Sequence, residues 1–134
     1  MKLVDTNVAA HLLLSGPHAA NARALYDQDP DWHTEPLLFV ELTNVLATAV
    51  RTRNTTEAKA MVALGEAHQL FDGALHALDD QGVLSTAIKF QISGYDARFL
   101  ATAIALGARL VTEDAKLRAK APELTCSIVE ALAS

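Results

Sequence analysis

The chain has 134 residues, 51% hydrophobic and 20% charged, a balance that excludes a disordered chain and predicts a single folded domain over residues 1–134. No apolar stretch approaches the roughly 20 residues of a membrane span, residues 2–4 are too short for the apolar region of a signal peptide, and a single cysteine excludes an internal disulfide, so we expect a cytoplasmic protein. The formal net charge of −5 predicts that the protein as a whole repels nucleic acid, so phosphate binding would need metal ions, local basic clusters or a basic partner.

The N-terminal half is predicted to open with a short strand and to continue mainly as helices. The expected elements are a strand over residues 2–4, helices over 8–14 and 18–27, a brief strand over 32–34, and helices over 37–52 and 57–70. The helix over 37–52 has the clearest pattern, because Leu38, Leu42 and Leu46 recur on one face at helical spacing. Glu41 lies at the margin of that face.

The C-terminal half is predicted to alternate strands and helices. The expected elements are strands over 74–78, 109–112 and 125–129, a helix around 83–90, a helix that Asp96 opens and Gly107 stops, and a short helix over 115–120. Strands that alternate with helices indicate an α/β fold with a mostly parallel sheet of about five strands, covered by helices on both faces.

Four acidic residues occur where such a fold would bring them together. They are Asp5 after the first strand, Glu41 in the third helix, Asp96 at the start of a later helix, and Asp114 after the fourth strand. Ligands of parallel α/β sheets bind beyond the carboxyl ends of the strands, so we expect these side chains to share a site there. Crowded carboxylates raise one another's pKa and resist losing water, and a shared cluster therefore usually implies a bound cation.

Each acid also has a structural interpretation. Asp96 and Asp114 occupy positions suited to helix N-caps, and the cap of the first helix falls equally well to Asp5, Thr6 or Asn7. A glutamate beside an apolar stripe is usually a solvated edge residue, although in this helix further polar residues continue its line. The combination of the four is a stronger indication of a site than any one of them.

Magnesium or manganese is the metal that a carboxylate cluster favours. Hard divalent cations prefer oxygen ligands and keep several waters, so three or four carboxylates form a partial cage with open positions. Those positions accommodate a phosphate oxygen and a water whose pKa the metal lowers. Hydrolysis of a phosphodiester fits this arrangement best.

The chain resembles PIN-domain nucleases in four motifs that follow one another in order. They are LVDTN at residues 3–7, Pro36 with EL at 41–42, YDA at 95–97 with LA at 100–101, and LVTED at 110–114. Size and the single-domain build make the chain look most like the toxin of a VapBC toxin-antitoxin pair. The resemblance covers nearly the whole chain.

What the resemblance implies is a three-layer α/β/α sandwich and Mg²⁺- or Mn²⁺-dependent cleavage of RNA. The family's acidic quartet corresponds to Asp5, Glu41, Asp96 and Asp114, and its site hydroxyl to Thr112. Asn7 is a weaker match to a residue that supports the ligands. Members of the family are commonly homodimers held in check by a VapB-type antitoxin, whose tail covers the site, often with a basic side chain.

Two residues depart from the family pattern. Arg98 is larger and more charged than the residue expected after the YDA motif, and it is predicted to contact either RNA or an acid. Glu113, between Thr112 and Asp114, is predicted either to add a fifth carboxylate or to point to solvent. Neither departure removes a predicted ligand.

Several other functions remain open on the sequence. A phosphoacceptor signalling domain would place acids after the first and third strands, as Asp5 and Asp79 could, but the fifth predicted strand brings no lysine. A haloacid-dehalogenase-like phosphatase needs a second acid two residues after the first, and that position is occupied by Asn7. A PIN nuclease of RNA processing, or a PIN fold kept only to bind RNA, would have the same predicted fold.

Overall fold

A computed structural model describes all residues, 1–134, and consists of four short strands and eight helices. In chain order the elements are β1 (Lys2–Val4), α1 (Thr6–Leu13), α2 (Ala19–Gln28), β2 (Trp32–His33), α3 (Leu37–Arg51), α4 (Glu57–Leu70), α5 (Asp80–Phe90), α6 (Gly94–Ala105), β3 (Leu110–Val111), α7 (Ala115–Lys120), β4 (Thr125–Cys126) and α8 (Ile128–Ala133). The predicted α/β class is confirmed.

The four strands form one parallel sheet in the order β2-β1-β3-β4. The central strands β1 and β3 bury only apolar residues: Leu3, Val4, Leu110 and Val111 are at most 1% exposed. Strands buried on both faces are expected of parallel sheets, whose crossover helices cover them. The chain leaves β1 in one direction to reach β2 and in the other to reach β3, so strand order reverses at the pair β1/β3, the usual place for a ligand site.

The helices form two groups around this sheet. In the first, α1 packs on α2, α3 and α4, and α2 also contacts α8. In the second, α5 pairs with α6, which lies on β1 and β3. The apolar face predicted for α3 is buried as expected, with Leu38, Leu42 and Leu46 in the main core. No helix has the length and apolar character needed to cross a membrane.

The strand predicted over 74–78 is absent, so the sheet has four strands rather than about five. Leu75 makes only an isolated parallel bridge to Thr34, with one backbone hydrogen bond on either side of it. Gly73, at φ 72°, ends the preceding turn, and Asp79 already caps α5, so few residues are left to extend the pairing. Lateral pairing in a sheet depends on tertiary contacts, which the apolar run at 74–78 does not reveal.

The strand predicted over 125–129 is correct only for its first two residues. Thr125 and Cys126 form β4, but Ser127 then caps the helix α8. The Ser127 hydroxyl accepts a hydrogen bond from the Glu130 N–H, and the Glu130 carboxylate accepts one from the Ser127 N–H. This reciprocal capping box is visible in the sequence as Ser-x-x-Glu, but the β-branched Ile128 and Val129 obscured it.

Candidate active site

One cavity of about 350 Å³ contains all four of the predicted acidic side chains. Its walls come from the starts of α1, α6 and α7 and from the side of α3, and its lining includes Asp5, Thr6, Asn7, Leu37, Val40, Glu41, Asn44, Tyr95, Asp96, Phe99 and Asp114. A larger cavity of about 490 Å³ lies beside α1 and α4, but its only acidic lining residue is Glu66. Chemistry rather than size therefore selects the candidate site.

Asp5 is held at the switch point of the sheet. Its N–H donates to the Val111 carbonyl across the ends of β1 and β3, at 3.3 Å. Its Oδ1 caps α1 by accepting from the Val8 N–H at 3.1 Å, and the side chain of Thr112 lies near the carboxylate. The helix-cap interpretation of Asp5 is therefore correct, and it coexists with a place in the cavity.

Glu41 is oriented by a residue that the sequence analysis did not select for the site. The Thr6 hydroxyl donates to Glu41 Oε1 at 2.6 Å, a contact between residues 35 apart in the chain. Thr6 is buried whereas Glu41 is partly exposed at the cavity, and the bond links the start of α1 to α3. The LVDTN motif contains this threonine, but only the packing of α1 against α3 shows what it holds.

Asp96 lies in the first turn of α6 rather than at its N-cap, and the predicted cap position is wrong by three residues. Ser93 is the cap, and its hydroxyl accepts from the Asp96 N–H at 3.0 Å. The helix can begin at Gly94 because the serine hydroxyl satisfies a free N–H of the first turn. The Asp96 carboxylate is therefore not consumed as a cap and faces the cavity.

Asp114 combines a cap with a place in the cavity, as Asp5 does. Its Oδ1 accepts from the N–H groups of Lys116 and Leu117 at 2.9 and 3.2 Å. Both bonds go to the same oxygen, which leaves the other for a ligand. The buried Thr112 hydroxyl accepts from the Asp114 N–H at 3.1 Å, so it positions the backbone at Asp114, although Thr112 itself does not line the cavity.

The carboxylates of the cavity resist being charged together. Burial raises the pKa of Asp5 to about 6, although the nearby Thr112 side chain and the Val8 N–H lower it, and the charges of Asp96 and Glu41 raise it further. Burial also raises the pKa of Asp96, with added repulsion from Asp114 and Glu41. A cation in the cavity would relieve this repulsion.

The donor set fits a hard divalent cation in kind. All four acids offer carboxylate oxygens, the ligands that Mg²⁺ and Mn²⁺ prefer, and no sulfur or imidazole lines the cavity. No three of the acidic, histidine or cysteine side chains already lie close enough to share one ion. Such a cavity suits an ion that keeps several of its waters and uses only one or two carboxylates directly.

The remaining predicted residues divide between the cavity and the surrounding scaffold. Asn7 lines the cavity and is exposed. Glu113 is neither a fifth cavity carboxylate nor a solvated side chain, because its Oε1 accepts from the Ile128 N–H at the start of α8. Arg98 contacts acids, as one of the two alternatives predicted, and its main partner is the buried Glu35, which the sequence analysis missed.

Asp79 does not lie at the carboxyl end of a strand. Its Oδ1 caps α5 by accepting from the Gly82 N–H at 2.8 Å, and the segment before it forms only the isolated bridge at Leu75. It also takes no part in lining the cavity that contains Asp5. This arrangement disfavours the phosphoacceptor alternative, which needs both acids at one edge of the sheet.

Comparison with known proteins agrees with this architecture. The chain is similar to the crystal structure of PAE2754 from Pyrobaculum aerophilum, with 23% identity and a TM-score of 0.79 over 98% of this chain and 93% of that one. It is also similar to FitAcB from Neisseria gonorrhoeae, with 22% identity and a TM-score of 0.66 over 95% and 96% of the two chains. At these identities the likeness concerns the fold. Comparison with curated proteins gave no match.

The family comparison covers both the fold and the cavity. A family model described as PIN domain matches residues 2–122. This range includes the complete sheet apart from β4 and every acid that lines the cavity. The chain belongs to the PIN domain family.

Proposed function

We propose that this protein is a Mg²⁺- or Mn²⁺-dependent ribonuclease that hydrolyses phosphodiester bonds in the carboxylate cavity. PIN domains are generally nucleases, which favours this reaction class. The observation that carries the proposal is that Asp5, Glu41, Asp96 and Asp114, from four separate elements, line a single cavity of about 350 Å³. If each acid had only a structural role, such as a helix cap, the four side chains would not need to line the same cavity.

The acids would hold the metal, and the chain's own hydrogen bonds would set their positions. Asp5, Asp96, Asp114 and Glu41 are the proposed ligands, one or two of them bound to the metal directly and the others through its waters. When bound, the metal would supply an activated water and would offset the negative charge that develops at phosphorus. Helix caps hold one oxygen each of Asp5 and Asp114, and the Thr112 hydroxyl anchors the backbone at Asp114, so these ligands are preorganised.

The substrate must reach an acidic protein. With a formal net charge of −5, general electrostatic attraction of RNA is absent. Two basic residues of α7 are occupied by backbone carbonyls: Arg118 donates to Thr112 O at 2.9 Å and Lys120 to Gln91 O at 2.6 Å. Productive binding would therefore depend strongly on the metal, and we expect RNA affinity to fall when the metal is chelated.

We further propose a toxin role, with a homodimer and a small antitoxin as partners, following the resemblance to VapBC toxins. Exposed apolar side chains of α5 and α6 support a dimer contact: Leu84, Ile88 and Tyr95 are 61%, 68% and 67% exposed. Apolar surface of this kind commonly marks a protein contact. The acidic cavity would suit a basic side chain of the antitoxin.

Cleavage of structured and single-stranded RNAs by the purified protein tests the proposed reaction. Activity should require Mg²⁺ or Mn²⁺, should stop with excess chelator, and should be lost in Asp5→Asn. Asp79→Asn is the matched control, because Asp79 is also a helix N-cap but lies outside the cavity. Metal-dependent cleavage by Asp79→Asn but not by Asp5→Asn supports the proposal.

Other outcomes would favour the remaining candidates. A folded protein that binds RNA without cutting it would favour a binding module. Cleavage restricted to precursor RNAs at their processing sites, without growth inhibition when the protein is expressed, would favour an RNA-processing nuclease. Equal loss of activity in Asp5→Asn and Asp79→Asn would contradict an active site in this cavity.

A further inference from the structure

An ion pair between the buried Glu35 and Arg98, whose side chain is 36% exposed, joins the two helices that carry Glu41 and Asp96. Glu35 lies two residues before α3, and its side chain is only 2% exposed. Its Oε1 accepts from Arg98 Nη1 at 3.1 Å, and its Oε2 accepts from the Leu37 N–H at the start of α3. Neither Glu35 nor Arg98 lines the cavity, so the pair has no direct part in holding a metal or a substrate.

The position of this pair relates it to the cavity. Arg98 follows Asp96 by two residues on α6, and Leu37, which Glu35 anchors, precedes Glu41 by one helical turn on α3. The main packing partners of α3 are α1 and α4, whereas α6 packs on α5, β1 and β3. The ion pair is therefore a direct link between two helices that otherwise belong to different layers.

The carboxylates on these helices oppose their approach. Glu41 and Asp96 both face the cavity and repel each other across it. A buried carboxylate is costly unless it is paired and hydrogen-bonded, and Glu35 satisfies both conditions only while Arg98 stays in place. A movement of α3 away from α6 would therefore leave Glu35 unpaired.

We propose that Glu35 and Arg98 are positioning residues, which fix the separation of α3 and α6 and thereby hold Glu41 and Asp96 at the spacing that metal binding needs. The expected effect on metal binding rests on the proposed function, whereas the separation of α3 and α6 is a property of the metal-free protein. The proposed positioning also gives a role to Arg98, one of the two residues at which the chain departs from the family pattern.

Asp80 provides a matched control within the same network. It approaches Arg98 Nη2 at 3.5 Å, but its side chain is 96% exposed. Exposed ion pairs contribute little, so Asp80→Asn should leave the geometry and the metal affinity unchanged. Arg98→Met removes the cation while keeping an unbranched apolar side chain, and Arg98→Lys restores a cation that can reach Glu35.

The first measurement is the Mn²⁺ affinity of the folded proteins, determined by calorimetric titration without RNA. We expect about tenfold weaker binding for Arg98→Met, the low end of the effect of removing groups that orient ligands, with recovery in Arg98→Lys and no change in Asp80→Asn. In RNA cleavage the Arg98→Met defect should shrink at saturating Mn²⁺. Unchanged Mn²⁺ affinity with a lower unfolding temperature would show a purely structural role and overturn the inference.

The second measurement follows the helices themselves. Nitroxide labels at Ala47→Cys on α3 and Ala105→Cys on α6, both exposed positions, give the distance between the helices by electron spin resonance. Cys126 is buried and will resist labelling. The distance distribution should broaden or shift in Arg98→Met and stay unchanged in Asp80→Asn, whereas an identical distribution in all variants would overturn the inference.

These readouts separate the two proposals. If the unsubstituted protein neither binds Mn²⁺ nor cleaves RNA, the proposed function fails, and the label distances still decide whether Arg98 fixes the helices. If Arg98→Met does not fold, the double variant Glu35→Gln with Arg98→Met removes the unpaired buried charge. It should fold and show the same weaker Mn²⁺ affinity; full affinity in it would overturn the inference.

Discussion

Asp5 is expected to lower the stability of the metal-free protein, although it caps a helix. Burial and the neighbouring acids hold its pKa at about 6, against an ordinary value of 3.8, so the fold favours the neutral form. Asp5→Asn replaces the carboxylate by a neutral group of the same shape. The amide oxygen can still accept from the Val8 N–H, so the cap on α1 survives.

The size of the effect follows from the difference between the two pKa values. A difference of about 2, at roughly 1.4 kcal/mol for each pKa unit, corresponds to about 3 kcal/mol at a pH well above 6. Asp5→Asn should therefore be about 3 kcal/mol more stable than the unsubstituted protein at about pH 8 without metal. For a chain of this length the unfolding temperature should rise by roughly 10 °C.

The dependence on pH has a definite sign. A carboxyl whose pKa is raised by folding destabilises the fold where it is ionised, above pH 6, and the cost disappears as the pH falls from about 6 towards 3.8. The difference in free energy of unfolding between Asp5→Asn and the unsubstituted protein should therefore narrow to less than about 1 kcal/mol near pH 4. Urea unfolding at both pH values, with excess chelator, measures it.

Metal addition should change the order of stability. If Mg²⁺ or Mn²⁺ binds the ionised cavity as proposed, it should stabilise the unsubstituted protein by about 2.7 kcal/mol at a hundred times the Kd. Asp5→Asn should gain much less. Equal stability of the two proteins at about pH 8 in chelator, or a gap that does not change between pH 8 and pH 4, would refute the reasoning about Asp5.

Three further predictions concern the hydrogen bond to Glu41, the last helix and the exposed face of α5. Thr6→Val keeps the shape of the buried side chain but removes its bond to Glu41, so Mn²⁺ affinity measured by titration should fall about tenfold, and unchanged affinity would contradict the role of Thr6. Ser127→Ala should cost about 1 kcal/mol in urea unfolding, because its bond to the Glu130 N–H is lost, while Mn²⁺ affinity stays the same. Ile88→Lys should convert the proposed dimer into a monomer in light scattering, and a dimer that persists in this variant would place the contact elsewhere.

Local chemistry in the sequence was sufficient to locate most of the helices. The apolar face of α3 follows from side-chain spacing, and its predicted end differs from the observed one by a single residue. Thr56 and Asp79 begin α4 and α5 as polar caps should. These features depend on residues within one or two turns of each other, and such interactions are present in the sequence itself.

The same local rules failed where two interpretations competed. Residues 125–129 contain both a β-branched run and a capping box, and only packing decided that the chain turns into α8 after Cys126. The residues around Leu75 have the sequence pattern of a strand, but Leu75 forms only one isolated bridge, to Thr34. Strand pairing needs a partner of compatible register, which is set by segments far away in the chain.

The sequence by itself determined which side chains carry charge and that Asp5 and Asp114 follow strands, because residue identity and local periodicity are enough for that. Tertiary structure alone decided that these acids line one cavity with Glu41 and Asp96, and that burial raises the pKa of Asp5. It alone also revealed the Thr6 bond to Glu41 and the buried Glu35. Burial and contacts across 35 or more residues arise only when the helices pack on the sheet, since no local pattern encodes the distance between them.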